Sequence, residues 1–289
     1  MTDVSPSVRQ RELGVRLREL RNDRGMTVEE VAEKLLCSAT KISRLETGAR
    51  RPSLRDVRDL CQLYDVGEST SADLMRLARQ AREQGWWAQY EDLNLDPYIG
   101  LEQEAVSITS YTMFYFPALL QTEEYAGTII RAMAPRIDPA IHQQRVEARL
   151  RRQQLLTPDG RPRYRVLLDE AVLHHRLGDP AVMIGQLENT LKLIQDGKAL
   201  VQIIPFDYGV RAGQDSNFVL VEFEEDSNLS PVVFVEALTG IQYLERRTDI
   251  MRYREAIDYL RDSALSPRDS SARISEAIKL YTKEQSAAS

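Results

Sequence analysis

Cysteine and histidine are scarce in this chain and long apolar runs are missing; each shortage argues against a class of protein. Only Cys37 and Cys61 occur in 289 residues, which argues against a disulfide-built secreted scaffold and favours a reducing compartment. Both lie in apolar helical patterns, where a small buried thiol is the common case. The histidines are His142, His174 and His175. His174 and His175 are adjacent, and adjacent residues on a helix point about 100° apart, whereas helical metal pairs need a spacing of three or four. Asp169 and Glu170 beside them do not repair that geometry, so no metal and no other cofactor is expected. No stretch of about 18 apolar residues could span a membrane. The N-terminal MTDVSPSVRQRELG lacks the apolar core of a secretory signal. Phosphate-cradling and dinucleotide-binding glycine motifs and the Gly-x-Ser-x-Gly elbow are missing too. Asp207, Asp215 and Glu222 read as loop and strand-face charges, not as a catalytic set. An enzyme is therefore the least favoured class.

What is present is ordinary for packed domains: 43% hydrophobic and 28% charged residues. The length suggests about two domains of roughly 100–200 residues each. The net charge is −6, but it is unevenly spread. Residues 1–64 carry 13 Lys/Arg against 10 Asp/Glu, which leaves −9 for the rest. Within 38–58, Lys41, Arg44, Arg50, Arg51, Arg55 and Arg58 face only Glu46 and Asp56. A locally basic surface on an acidic chain suits a selective nucleic-acid binder, because phosphate repels the acidic remainder.

The apolar periodicity predicts helices over 8–24, 28–35, 38–47, 52–64 and 69–84, with 1–7 lacking regular structure. Gly25 stops the first. Thr27 caps the second, and Glu30 completes a capping box. Leu36 and Cys37 form a turn, Ser38 caps the third helix, and Pro52-Ser53 opens the fourth. Residues 85–106 read as a connector with its own aromatics. Helices are expected from Ile108 onward, over 125–133 and 141–156. Strands follow at 164–168, 201–205, 218–223 and 232–235, where β-branched runs are bounded by turn residues. Further helices are expected at 180–196, 248–262 and 270–283. The expected architecture is thus an all-α five-helix domain over 1–84, and an α+β domain over 107–285 with a small sheet flanked by helices.

The informative stretch is MTVEEVAEKLLCSATKISRLETG, residues 26–48. Two short helices joined by a tight turn must cross steeply, and Ala32 permits the close contact. Val31, Leu35, Ile42 and Leu45 then share an apolar face, which turns Thr40, Lys41, Ser43 and Arg44 outward. Polar and basic side chains on a short second helix suit base edges in a major groove. Ser38 at the start of that helix can present its amide end to a phosphate.

With LGVRLRELR, MTVEEVAEKL and SATKISRLETGARRPSL, residues 11–66 resemble the XRE, or lambda-repressor-like, helix-turn-helix family. The resemblance implies that 28–35 is the positioning helix and that Ala39, Thr40, Lys41, Ser43 and Arg44 lie on the base-reading helix. It places Arg50 and Arg51 near the sugar-phosphate backbone, adds the cap residues Thr27 and Ser38 to the DNA-binding set, and pairs Glu46 with Arg18 or Arg21. Two positions depart from the family: Val28 stands where it usually has a DNA-touching Gln, and Leu36 where its turn usually has Gly. The second half, through YFPALLQTEEYA, VQIIPFDYGVRAGQDSNFVLVEF and LRDSALSPRDS among other segments, is similar to Scr1-type, antitoxin-like regulators of actinobacteria, a group with WhiJ-like members. Pro117-Ala118 replaces that group's usual Pro-Gly. This resemblance implies a small acidic protein encoded nearby as partner, and a role in development or antibiotic production.

The expected function is a sequence-specific transcriptional regulator, cytoplasmic and nucleoid-associated. It would be dimeric on an inverted-repeat operator in double-stranded DNA, and controlled through its second half by a small protein or ligand. The alternative is an antitoxin-like protein that neutralises a small partner and regulates its own operon. Two features stay open on the residues alone. Residues 206–218 are an ordinary connection or the mouth of a ligand site, and Phe114–Pro117 are an exposed aromatic edge or part of a core.

Overall fold

The computed structural model describes residues 6–83, 85–90, 96–157, 162–209, 213–225, 229–237 and 240–288. Contacts divide the chain into two units. One comprises the described residues of Met1–Gln89, Asn94–Glu104 and Phe223–Leu229; the other comprises those of Tyr90–Leu93, Ala105–Glu222 and Ser230–Ser289.

The first unit is helical. Its elements are α1 (Pro6–Asp23), α2 (Val28–Lys34), α3 (Ala39–Glu46), α4 (Leu54–Leu63) and α5 (Glu68–Gln80). The expected caps form. The Thr27 hydroxyl accepts the Glu30 amide at 3.2 Å, and Glu30 Oε2 accepts the Thr27 amide at 2.8 Å. Ser38 accepts the Lys41 amide and Ser53 that of Asp56. Each cap stabilises its helix by about 1 kcal/mol. Leu13 and Leu17 of α1 meet Val31, Ile42, Leu45, Val57, Leu60, Leu74 and Leu77 in one core. Leu35, expected in that shared face, is only partly buried at its margin. The fifth helix ends at Gln80, short of the expected end at residue 84, which lies outside the described residues. Of residues 1–7, expected without regular structure, 1–5 lie outside the described residues, and α1 begins at Pro6.

The turn between α2 and α3 shows the consequence of its missing glycine. Leu36 has φ +51° and its side chain is 95% exposed. A left-handed conformation costs a non-glycine residue about 1–2 kcal/mol, and here no burial offsets it. Leu36→Gly is therefore expected to stabilise this unit by about 0.5–1 kcal/mol, after the greater chain entropy of glycine is allowed for. Thermal unfolding followed by tryptophan emission would register a higher midpoint. A lower midpoint would mean that Leu36 makes a contact worth more than its strain.

The segment expected to be a connector has structure of its own. A 3-10 turn at Trp86–Gln89 stacks Trp86 edge-on against Trp87 at 5.9 Å. Then α6 (Asp96–Glu104) packs along α1, with Ile99 and Leu101 buried. Residues 91–95 lie outside the described residues.

The second unit is α+β. Its elements in chain order are β1 (Ser107–Thr112), α7 (Glu123–Met133), α8 (Pro139–Gln153), β2 (Arg163–Asp169), α9 (Ala171–His174), α10 (Pro180–Gln195), β3 (Leu200–Ile204), β4 (Phe218–Glu222), β5 (Val232–Ala237), β6 (Gly240–Leu244), α11 (Arg247–Ser263) and α12 (Pro267–Ala288). They form a six-stranded sheet of order β3-β2-β1-β4-β5-β6 flanked by helices. β1, β2 and β3 run parallel, joined by helical crossovers as parallel pairing demands. β4, β5 and β6 add antiparallel on the far side of β1. One face packs Tyr111, Leu167, Ile204, Phe218, Leu220 and Val233 against Ile250, Ile257 and Leu260 of α11. On the other face Ile108, Val166, Leu168, Val201, Ile203 and Val221 are buried as well. Burial on both faces explains why these strands read as apolar runs and not as alternations.

Two strands escape the sequence reading. The chain from residue 107 was expected to open with helices, yet β1 is an internal strand of the sheet. Its sequence SITSYT carries no apolar run, and Thr109, Ser110 and Thr112 are nonetheless buried. Its hydroxyls find partners: Ser110 reaches the Tyr164 hydroxyl and Thr112 donates to the Tyr115 carbonyl. β6 is an edge strand held by β5 alone, and GIQYL gives only a weak alternation.

A buried polar layer holds the segment after β1. Gln186 of α10 is fully buried; its Oε1 accepts the Thr122 amide at 2.9 Å and its Nε2 donates to the Leu120 carbonyl at 2.8 Å. Asn189 donates to the same carbonyl, and Gln153 of α8 donates to the carbonyls of Ala118 and Gln121. These amides satisfy backbone groups that cannot join the sheet, as burial requires. No described helix is long and apolar enough to cross a membrane.

Candidate nucleic-acid interface

The site begins with how closely α1 and α3 approach. A Cβ on Gly14 would lie 2.7 Å from the carbonyl oxygens of Leu45 and Glu46, so only glycine allows this contact. Glu46, at the end of α3, is 5% exposed and sits among arginines. Arg21 donates Nε to Oε1 at 2.6 Å and Nη2 to Oε2 at 3.0 Å, a bidentate fork. Arg18 donates Nη2 to the Glu46 carbonyl at 3.1 Å and brings its Nε to 3.8 Å from Oε2. The two arginines expected as alternatives thus both engage Glu46. The hydrogen bonds that Arg21 donates to Glu46 raise the pKa of its guanidinium above the ordinary value. This bridge locks the orientation of α3 on α1.

On α3 so held, Ile42 and Leu45 face the core, while Thr40, Ser43 and Arg44 are exposed. Arg44 makes no ion pair among the described residues. Two members of the expected set are placed differently. Ala39 packs against the helical core, because the helix turns its first residue inward. Lys41 is half-buried, and its Nζ lies 2.6 Å from Asp56 Oδ1 on α4. Nothing in the sequence marked that pairing, since the partners are on separate helices. Thr27 and Ser38 are exposed, with their hydroxyl oxygens engaged as caps.

After α3 the chain turns at Gly48, whose φ is +67° and where a Cβ would come within 2.8 Å of Arg11 Cγ. Gln10 donates to the Gly48 carbonyl at 2.6 Å, and the Arg50 amide bonds the Arg44 carbonyl at 3.0 Å. The turn delivers Arg50 and Arg51 exposed, just past the polar face of α3. Burial pushes the Asp56 carboxyl up, but hydrogen bonds from Lys41 and Ser53, with the charges of Lys41 and Arg50, bring it below its ordinary value. The Lys41–Asp56 pair therefore contributes fully at neutral pH and fades only as pH falls below the ordinary carboxylate range.

The open features of the second unit also have an outcome. The aromatic run divides: Phe116 is fully buried edge-on to Tyr125, while Phe114 is 56% exposed and stacks on His175 at 6.3 Å. His174 stacks on Phe206 at 5.8 Å, and its Nε2 is 3.9 Å from Glu170. Among the described residues no group of three or more His, Cys, Asp or Glu is placed to hold a metal ion. Of the possible ligand mouth at 206–218, residues 210–212 lie outside the described residues.

Two families match the chain. Residues 12–74 match a family described as a helix-turn-helix domain. Residues 95–276 match the family described as a domain of unknown function, DUF5753. No curated protein and no solved structure matches. Because the second match spans more than half of the chain, and the first covers the helices that carry the exposed basic surface, this chain belongs to the DUF5753 family and bears a helix-turn-helix domain of the DNA-binding type at its N-terminal end.

Proposed function

We propose that the chain is a sequence-specific transcriptional regulator that acts as a homodimer on an inverted-repeat operator, with its second half supplying dimerisation and control. The observation that carries this reading is the exposed set Thr40, Ser43 and Arg44 on a helix locked by the Glu46 bridge, followed at once by exposed Arg50 and Arg51. In this reading the polar face of α3 enters the major groove, Arg44 meets base edges, and Arg50 and Arg51 neutralise phosphates. One headpiece makes too few base contacts for high selectivity, so two-fold pairing on a palindromic site follows. The acidic remainder keeps the rest of the protein off the duplex.

Fluorescence anisotropy with DNA from upstream of the protein's own gene, against scrambled DNA at two salt concentrations, tests it. A preference of roughly a thousandfold or more for one sequence is expected. Weak and equal binding to both would reassign the headpiece to protein contacts.

The Lys41–Asp56 pair gives a sharper test. Asp56→Asn removes a negative charge beside α3 and releases the ammonium of Lys41. Affinity for any DNA is expected to rise by up to about tenfold at low salt, and the salt dependence to steepen by about one ion. An unchanged slope would place Lys41 away from the duplex.

A further inference from the structure

The second unit holds a cleft of about 730 Å³ between α11 and the starts of β1, β2 and β3. That volume falls in the usual range of small-molecule sites, about 300–1,000 Å³.

The strand register explains why cations gather in it. Arg165 of β2 pairs with Thr109 of β1 and with Leu200 of β3, and Thr109 pairs with Leu220 of β4. Residues directly across a ladder share a face, so this row forms a floor with one cation among apolar and hydroxyl side chains. Two residues earlier, Arg163 stands beside Ser107, and Ser107 beside Glu222. Lys198 enters from the turn that precedes β3, and α11 adds Arg254 and Arg261.

The charges do not balance. Arg254 Nη2 lies 2.7 Å from Glu222 Oε1, and Arg261 Nη2 lies 3.1 Å from Asp258 Oδ1. Those two carboxylates are the only acidic groups in the lining. Arg163, Arg165 and Lys198 therefore remain with no ion pair among the described residues. Arg165 is the telling member, since its Nε is buried and has no hydrogen-bond acceptor among the described residues. A buried donor on a charged group is costly when it lacks an acceptor, and an anionic ligand in this cleft would supply one. Guanidinium forks match the oxygens of carboxylates and phosphates, and Ile194, Leu200 and Ile257 offer an apolar wall beside them.

We infer that this cleft binds a small organic anion, with a phosphate or carboxylate head met by Arg163, Arg165 and Lys198 and an apolar body against Ile194, Leu200 and Ile257. As a site it stands independently of the regulator reading; only its use, to carry a metabolic signal to the headpiece, rests on that reading.

Isothermal titration of the full chain with phenyl phosphate, in the absence of DNA, tests the site, with phenol as the neutral control. Saturable binding at one equivalent per chain is expected, with phenol at least tenfold weaker. Arg165→Gln and Lys198→Ala are each expected to lower the affinity by about tenfold or more. Lys198 lies on a turn, so its variant keeps the test valid should Arg165→Gln fold poorly. The pair Arg50→Ala/Arg51→Ala should bind phenyl phosphate like the wild type. Three results would overturn the inference: no saturable binding, equal affinity in Lys198→Ala and wild type, or loss of binding in the Arg50/Arg51 variant, which would place the anion on the headpiece. A headpiece that fails to bind DNA leaves this readout unchanged, so the two readings fail separately.

Discussion

Glu46→Ala is expected to destabilise the helix-turn-helix unit by about 3–5 kcal/mol, the usual cost of removing one partner of a buried ion pair. Arg21 is 13% exposed, and its fork would face a cavity in place of two carboxylate oxygens. Its other bond, Nη1 to the Met26 carbonyl at 2.7 Å, would then hold an uncompensated charge in the interior. A unit of this size has about 5–15 kcal/mol in all, so much of its stability would be gone. Both tryptophans of the chain, Trp86 and Trp87, belong to this unit, so their emission follows its unfolding in urea without interference from the second. Glu46→Gln should lose less, since the amide oxygen still accepts one hydrogen bond. Removing the guanidinium as well, in Glu46→Ala/Arg21→Met, should recover part of the loss because the stranded charge is gone. A Glu46→Ala protein within about 0.5 kcal/mol of the wild type would contradict the bridge as the lock on α3.

The second large effect concerns DNA. Lys41→Ala/Arg44→Ala is expected to cut operator affinity by about a hundredfold or more, because each base-reading contact contributes about 1–3 kcal/mol of discrimination, while the unfolding midpoint falls only by the loss of the Lys41–Asp56 pair, about 1 kcal/mol. Arg44 should carry the larger share, since Lys41 is already committed to Asp56 at 2.6 Å and must exchange that partner to reach the duplex. Arg50→Ala/Arg51→Ala should behave differently. Binding to specific and scrambled DNA should weaken alike, and the slope of log affinity against log salt should flatten by about two. Anisotropy titrations over a salt series distinguish the outcomes. A loss confined to one operator sequence in the Arg50/Arg51 variant would reassign those residues from phosphates to bases. Full retention of operator binding in the Lys41/Arg44 variant would remove α3 from the groove.

The headpiece was legible because its signals are local. Thr27 with Glu30, Ser38 and Ser53 are caps whose partners lie three residues away, and a hydroxyl at a helix start works in nearly any context. Val31, Ile42 and Leu45 declare their face by spacing alone. The sheet was legible only where its strands are buried on both faces by apolar side chains, as in β2, β3, β4 and β5. β1 failed that test because a central strand with four Ser/Thr residues is stable only when neighbouring strands and Tyr115 and Tyr164 complete its hydrogen bonds. Tyr115 is close in sequence, but Tyr164 and the strands that flank β1 lie more than fifty residues away, outside any window of eleven or eighteen residues.

The sequence alone settled which apolar faces the headpiece helices bury, where its three side-chain-capped helices start, and that a basic surface precedes an acidic remainder. Those are properties of single residues and of short spacings, and they hold before any tertiary contact forms. Tertiary structure decided the pairings between distant positions. It brought Asp56 to Lys41 and so took one expected DNA-reading cation partly out of reach. It placed both Arg18 and Arg21 on Glu46 where the residues allowed either. It also aligned Arg163 and Arg165 with the strands that leave them without carboxylates. Hydrogen bonds act within about 3.5 Å and screened charges within about 10 Å, so both depend on which helices and strands pack side by side, and only the folded chain specifies that.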